Sequence, residues 1–147
     1  MDDVIEAAKE ADLPGNLITV EITESMQASE LIIISNKYFF TSWRNKGMHI
    51  SIDDFGTGYS SLGMLKNSPA DVVKIDRTFV RDILTSQFDA TFIHFVVALC
   101  HDVNIKVCLE GVEREEEFDR VRSMGLDFIQ GFLFGKPVLR TFSNVIS

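Results

Sequence analysis

Apolar residues recur along this chain with two different periods, and the switching between those periods predicts its elements. An acidic helical opening from Asp2 to Asp12 passes through the turn Pro14-Gly15-Asn16 into the strand Ile18-Thr19-Val20-Glu21-Ile22-Thr23. A long helix over residues 27–46 follows, with Ile32, Phe39 and Trp43 at helical spacing and Lys46-Gly47 as its stop. Next come a strand from His49 to Asp53, a short helix around Ser60 to Lys66, the strand Val72-Val73-Lys74-Ile75-Asp76, and a helical turn or two between Arg77 and Leu84. Phe88, Phe92, Phe95, Leu99 and Val103, spaced 4, 3, 4 and 4, mark the expected buried face of a further helix. The final third predicts a strand from Lys106 to Leu109, a helix from Glu113 to Met124 closed by Gly125, a strand Phe128-Ile129-Gln130 and a last helix after Pro137.

Serial alternation of strand and helix makes this an α/β chain, with about five parallel strands and crossover helices outside them, in an open sheet or a closed barrel. Either arrangement collects active groups at the carboxyl ends of the strands. No linker or low-complexity stretch divides the chain.

With 147 residues, a hydrophobic fraction of 46% and 12 Phe, one domain can bury a real core. The net charge of -8 argues against a broad phosphate-backbone surface and so against long DNA or RNA. A bound nucleotide would be small and held through metal and a few side chains. Cys100 and Cys108 lie in apolar stretches behind no signal peptide, which fits buried thiols in a reduced, cytoplasmic setting. The apolar segments are too short or too interrupted to span a bilayer, so no membrane contact is expected from this segment.

The chemistry gathers at the strand ends. Reading the last residues of each strand gives Glu21 and Glu24, Asp53 and Asp54, Lys74 and Asp76, Glu110 and Glu113, and Gln130. A single such carboxylate is ordinarily a solvated loop residue or a helix cap. So dense an acidic cluster repels itself unless cations are present, and hard divalent ions, magnesium or manganese, suit its oxygen donors. Neighbouring Asp53 and Asp54 can serve one site only where the pleat breaks, and Gly56 and Gly58 ease that break. Lys74 suits a salt bridge, a Schiff-base nucleophile or a positioner of attacking water, and the residues alone do not choose among them. His49, His94 and His101 fall near a strand start or on helices, as packing or surface residues. Metal-assisted hydrolysis of a phosphodiester is the chemistry this inventory serves best, with a Schiff-base lyase or aldolase as a rival.

The motifs Glu21-Ile22-Thr23-Glu24, Asp53-Asp54-Phe55-Gly56-Thr57-Gly58-Tyr59-Ser60-Ser61-Leu62, Lys74-Ile75-Asp76, Glu110-Gly111-Val112-Glu113 and Gln130-Gly131-Phe132 closely resemble the EAL-domain family of cyclic di-GMP phosphodiesterases. The resemblance implies a TIM-like barrel that hydrolyses cyclic di-GMP to pGpG with Mg2+ or Mn2+. By position it implies Glu21, Asp53, Asp54 and Asp76 at the metals, and Glu110 and Lys74 as catalytic residues. It further implies Glu24 as anchor of the loop from Asp54 to Leu62, and Glu113 and Gln130 at the nucleotide or the metal-bound water. Phe134, Lys136 and Pro137 fall in the family's closing segment.

The departures from the family pattern are equally specific. About five strands are present where an eight-stranded barrel needs roughly 200 residues or more. The Glu-Ala-Leu signature and the asparagine ligand of the following strand are absent, so residues 1–147 are expected to form a single incomplete EAL domain, inactive or weakly active alone. Leu109, Phe132 and Gly135 replace residues usual in the family without removing a ligand. Open sheet edges and an apolar barrel interior facing water would favour self-association. A degenerate domain that binds cyclic di-GMP or a protein without turnover is the alternative.

Overall fold

The computed structural model describes residues 2–23, 37–58 and 61–138. Five strands, β1 (Thr19–Thr23), β2 (His49–Phe55), β3 (Val72–Ile75), β4 (Lys106–Glu110) and β5 (Phe128–Gln130), form one sheet in sequence order, every pair parallel. The helices are α1 (Asp2–Glu10), α2 (Lys37–Asn45), α3 (Ser61–Asn67), α4 (Thr78–Arg81), α5 (Gln87–Asp102) and α6 (Glu115–Val121). A single 3-10 turn, Gly15–Leu17, replaces the predicted turn before β1.

Register divides the sheet into two unlike faces. Ile22 pairs with Ile52, Ile52 with Val73 and Val73 with Val107, all essentially buried against the helices. The opposite face carries Glu21, Ser51, Asp53, Lys74, Cys108 and Glu110 in alternation. The expected apolar interior is therefore corrected: this face is predominantly polar, with Val72 and Phe128 as apolar exceptions, because Ile22, Ile50, Ile52, Val73, Ile75, Val107 and Leu109 alternate onto the helix side.

Helix α5 corrects a second expectation. Its buried residues are Ala90, Ile93, Val96, Val97 and Cys100, whereas Phe88, Phe95 and Val103 are 72%, 50% and 54% exposed. Phe92 and Leu99 of the expected series are half-buried against the core, so the correction concerns its outer members. The apolar arc is wider than the contact face, with Gln87, Thr91, His94 and His101 on the remaining side, so part of the aromatic stripe lies outside while smaller residues sit close to the sheet. Ser86 caps it by accepting the Asp89 N–H.

Other boundaries shift modestly. Helix α2 retains buried Phe40 and Trp43, edge to face at 5.7 Å, while residues 27–36 of the predicted long helix lie outside the described residues. Most of the predicted last helix, residues 139–147, also lies outside them. The predicted helix from Glu113 to Met124 narrows to α6.

At the amino ends of the strands, one device occurs twice. Asp71, just before β3, donates its N–H to Ile50 O and accepts the Ile50 N–H on Oδ2, both at 2.8 Å. Asp127, just before β5, does the same with Val107, at 3.0 and 2.8 Å. Each carboxylate also meets a side chain from the last turn of a helix: Arg44 on Asp71 and His101 on Asp127, both at 2.8 Å. These clasps lock neighbouring strands in register at the end remote from the acidic rim.

Candidate metal centre at the strand ends

The carboxyl end of β2 builds the centre by breaking its own pleat. Pairing of β2 with β3 shifts register between Ile52 and Phe55, and Asp54 takes a left-handed φ of 55°. That bulge lets adjacent aspartates approach one site, as Asp53 Oδ1 accepts the Asp54 N–H at 3.0 Å. The break thus falls on Asp54 itself, with Gly56 at φ 100° continuing the turn. Thr57 Oγ1 closes it by donating to Asp54 O at 2.9 Å.

Gly56 is required for a further reason. A methyl group there would lie 2.6 Å from Phe79 Cε2 and 2.8 Å from Phe92 Cζ. Those two rings stack with centroids 4.1 Å apart, forming a floor under the loop.

Asp53, Asp54 and Glu110 each present a carboxylate oxygen within 4.8 Å of the others, all half-buried. Burial, then the charges of Asp53 and Asp76, push the Asp54 carboxyl above its ordinary range. Three converging hard oxygen donors fit a divalent cation of the magnesium, manganese or calcium type.

Lys74 stands at the hub. Its Nζ lies 2.6 Å from Glu110 Oε1, 3.0 Å from Glu21 Oε1 and 3.5 Å from Asp53 Oδ1. Burial opposes its charge, but the hydrogen bonds to Glu110 and Glu21 and the charges of Glu110 and Asp53 hold its ammonium well above the ordinary lysine value. A Schiff-base lysine needs a free amine near neutrality, so this environment disfavours the lyase reading.

The remaining candidates are placed differently. Glu21 meets Lys74 and stands outside the three-carboxylate group. Asp76 accepts the Thr78 N–H at 2.8 Å at the start of α4, and its charge reaches Asp54. Glu113 is exposed three residues beyond β4. Gln130 pairs in register with Glu110, and its carbonyl accepts the Gly111 and Val112 N–H groups at 2.8 and 3.2 Å. Glu24 lies outside the described residues.

Sequence reasoning missed Ser51 and Glu117. Ser51 is 2% exposed, and its Oγ is the one buried side-chain polar atom without a hydrogen-bond partner among the described residues. Alternation along β2 held the signal, since Ser51 shares a face with Asp53. Glu117 is 5% exposed on α6, and Arg114 in place of a hydroxyl residue hides its capping role.

A parallel α/β sheet with converging carboxylates at its strand ends defines the class: part of a TIM-like barrel with a candidate metal centre. The EAL domain model matches residues 1–137, and the chain belongs to that family. It is 36% identical over 138 residues to the cyclic di-GMP phosphodiesterase NbdA of Pseudomonas aeruginosa, covering 94% of this chain and 17% of that protein. Against the solved PaMucR phosphodiesterase in complex with c-di-GMP it gives a TM-score of 0.81 at 35% identity, covering 99% of this chain and 57% of that one. Against Klebsiella pneumoniae BlrP1 with manganese and cyclic di-GMP the TM-score is 0.80 at 35% identity, covering 91% and 34%. The chain spans only 16% to 20% of the length of the curated relatives it matches.

Among the described residues, no helix is long and apolar enough to cross a membrane. Cys100 and Cys108 are free and buried, and burial pushes both thiols up to about 11.

Proposed function

We propose that this chain is the carboxyl-terminal part of a metal-dependent phosphodiesterase domain that hydrolyses cyclic di-GMP to pGpG in the bacterial cytoplasm. The observation that carries the reading is the convergence of Asp53, Asp54 and Glu110 within 4.8 Å, with Lys74 bonded to Glu110. Relatives named as cyclic di-GMP phosphodiesterases, and a related structure holding manganese and cyclic di-GMP, support it.

In this reading Asp53, Asp54 and Glu110 hold Mg2+ or Mn2+, with Glu21 and Asp76 joining the shell of the complete domain. The bound cation supplies Lewis-acid activation at the phosphoryl group and its attacking water. Lys74 balances the carboxylate charge and fixes the direction of Glu110 through their hydrogen bond. Glu110 and Lys74 orient the water whose oxygen forms the new P–O bond. One ester bond of the ring to a sugar oxygen breaks, and a proton from the water ends on that oxygen. Glu113 and Gln130 contact the nucleotide or the metal-bound water.

The Glu-Ala-Leu signature and its neighbouring asparagine belong to strands upstream in the complete domain, so turnover by residues 1–147 alone is weak or nil. Among the described residues, strands β1 and β5 each have one partner in the sheet, which favours self-association through their outer edges. A strictly monomeric, folded species in light scattering would oppose that part of the proposal.

Calorimetric titration with cyclic di-GMP in calcium, then magnesium addition and chromatography for pGpG, tests the function. Nucleotide binding with weak or no product supports it. A folded chain that binds neither nucleotide nor divalent cation opposes it, and firm binding with no product even after an upstream half is supplied marks a receptor instead.

A further inference from the structure

Glu110 and Glu113 sit at the two ends of a four-residue segment, and all the backbone N–H groups leading out of it are held. Gly111 N and Val112 N donate to Gln130 O at 2.8 and 3.2 Å. Glu113 N and Arg114 N donate to one oxygen of Glu117, Oε2, at 2.9 and 3.0 Å. The other oxygen, Oε1, accepts from Arg114 Nε and Nη2, each at 2.8 Å. Glu117 is the only buried carboxylate among the described residues, at 5% exposure, and no lysine, arginine or histidine there is buried. Burying a carboxylate is costly unless its lone pairs are filled, and here four donors fill them.

We propose that Glu117 is a positioning residue for nucleotide binding: its carboxylate fixes the backbone of Glu113 so that this side chain stands at the rim beside Glu110. The proposal rests on the phosphodiesterase reading. A helix cap alone needs one acceptor at the first turn, whereas Glu117 reaches back to the residue before the cap and holds the segment that carries two candidate site residues. An amide at this position offers one acceptor oxygen and turns an NH2 toward the Arg114 guanidinium. A carboxylate is therefore specifically needed. The bonds from Glu113, Arg114 and the Arg114 guanidinium outweigh burial and keep the Glu117 carboxyl below its ordinary range, so the clamp persists in mild acid.

The test uses the 147-residue chain and the variants Glu117→Ala, Glu117→Gln and Arg114→Met. Amide exchange by NMR reads the clamp, and calorimetry with calcium and cyclic di-GMP reads its consequence. In Glu117→Ala, exchange at Glu113 and Arg114 is expected to rise at least tenfold with Val107 unchanged. Nucleotide affinity is expected to fall about tenfold or more while calcium affinity stays within about twofold, in the range for residues that orient a site. Glu117→Gln should fall between Ala and the parent, and covers the case in which the Ala variant fails to fold. Arg114→Met, which leaves both backbone bonds, should stay near the parent. Loss of amide protection with unchanged nucleotide affinity would overturn the positioning role and leave the phosphodiesterase reading intact. No nucleotide binding by the parent chain would overturn the role together with the reading it rests on.

Discussion

Lys74 and Glu110 lie 2.6 Å apart, an ion pair that ties β3 to the last residue of β4. The same ammonium reaches Glu21 on β1 and Asp53 on β2. One cation therefore bridges four of the five strands at the rim.

Replacing Lys74 by Met should leave those carboxylates facing one another. The expected loss is about 2 kcal/mol of stability, the scale of charge-assisted hydrogen bonds, with added Mn2+ recovering more stability in the variant than in the parent. Thermal melts with and without Mn2+ read both effects. In a peptide map after borohydride with a carbonyl substrate, Lys74 should remain unmodified, because its amine stays protonated.

Asp53→Asn should weaken Mn2+ binding about 100-fold, whereas Glu113→Gln should leave it near the parent value. Titration followed by electron paramagnetic resonance separates the two. Equal weakening in both would place Glu113 among the cation's ligands.

Gly56→Ala places a methyl group against Phe79 and Phe92 at a φ of 100°. A destabilisation of about 1–3 kcal/mol is expected, since both backbone and rings must shift. Metal affinity should fall as well, because Asp54 begins the same loop. Gly63, around which a Cβ would meet nothing, is the control.

The His101–Asp127 clasp makes a pH prediction. Burial raises the Asp127 carboxyl, but the His101 hydrogen bond and the Val107 N–H outweigh it and hold the group below its ordinary value. A depressed folded value means stability that is present above the unfolded carboxylate range and lost as pH falls through the folded value. Melting temperatures between pH 6 and pH 2.5 should therefore fall more steeply in the parent than in Asp127→Asn. Parallel curves would show that Asp127 contributes nothing to acid sensitivity.

The run of strands along the chain was legible because Ile22, Ile52, Val73 and Val107 alternate with polar neighbours, and because Gly47, Gly56 and Gly125 stand where the chain turns. Asp53 and Asp54 were legible as a pair at a strand end, though the left-handed Asp54 that unites them was not, since glycine and not aspartate is the residue that advertises a positive φ. The face of α5 was read too far round because Phe88, Phe95 and Val103 satisfy the same spacing as the true contact residues, and the apolar arc they extend is wider than the face that meets the sheet. Glu117, Asp71 and Asp127 could not be read at all as clasps. Their partners are backbone amides, which every residue carries, and for the two aspartates those amides lie 20 or 21 residues away.

The twin aspartate clasps divide labour along the sheet. Arg44 and His101 each stand six residues before the amide that their aspartate grips, so the two βα units are copies of one design with alignment set at their base. In those two strand pairs, alignment rests less on the loops at the opposite rim. Evolution can lengthen, shorten or retune those loops for new control without asking the strands to find one another again.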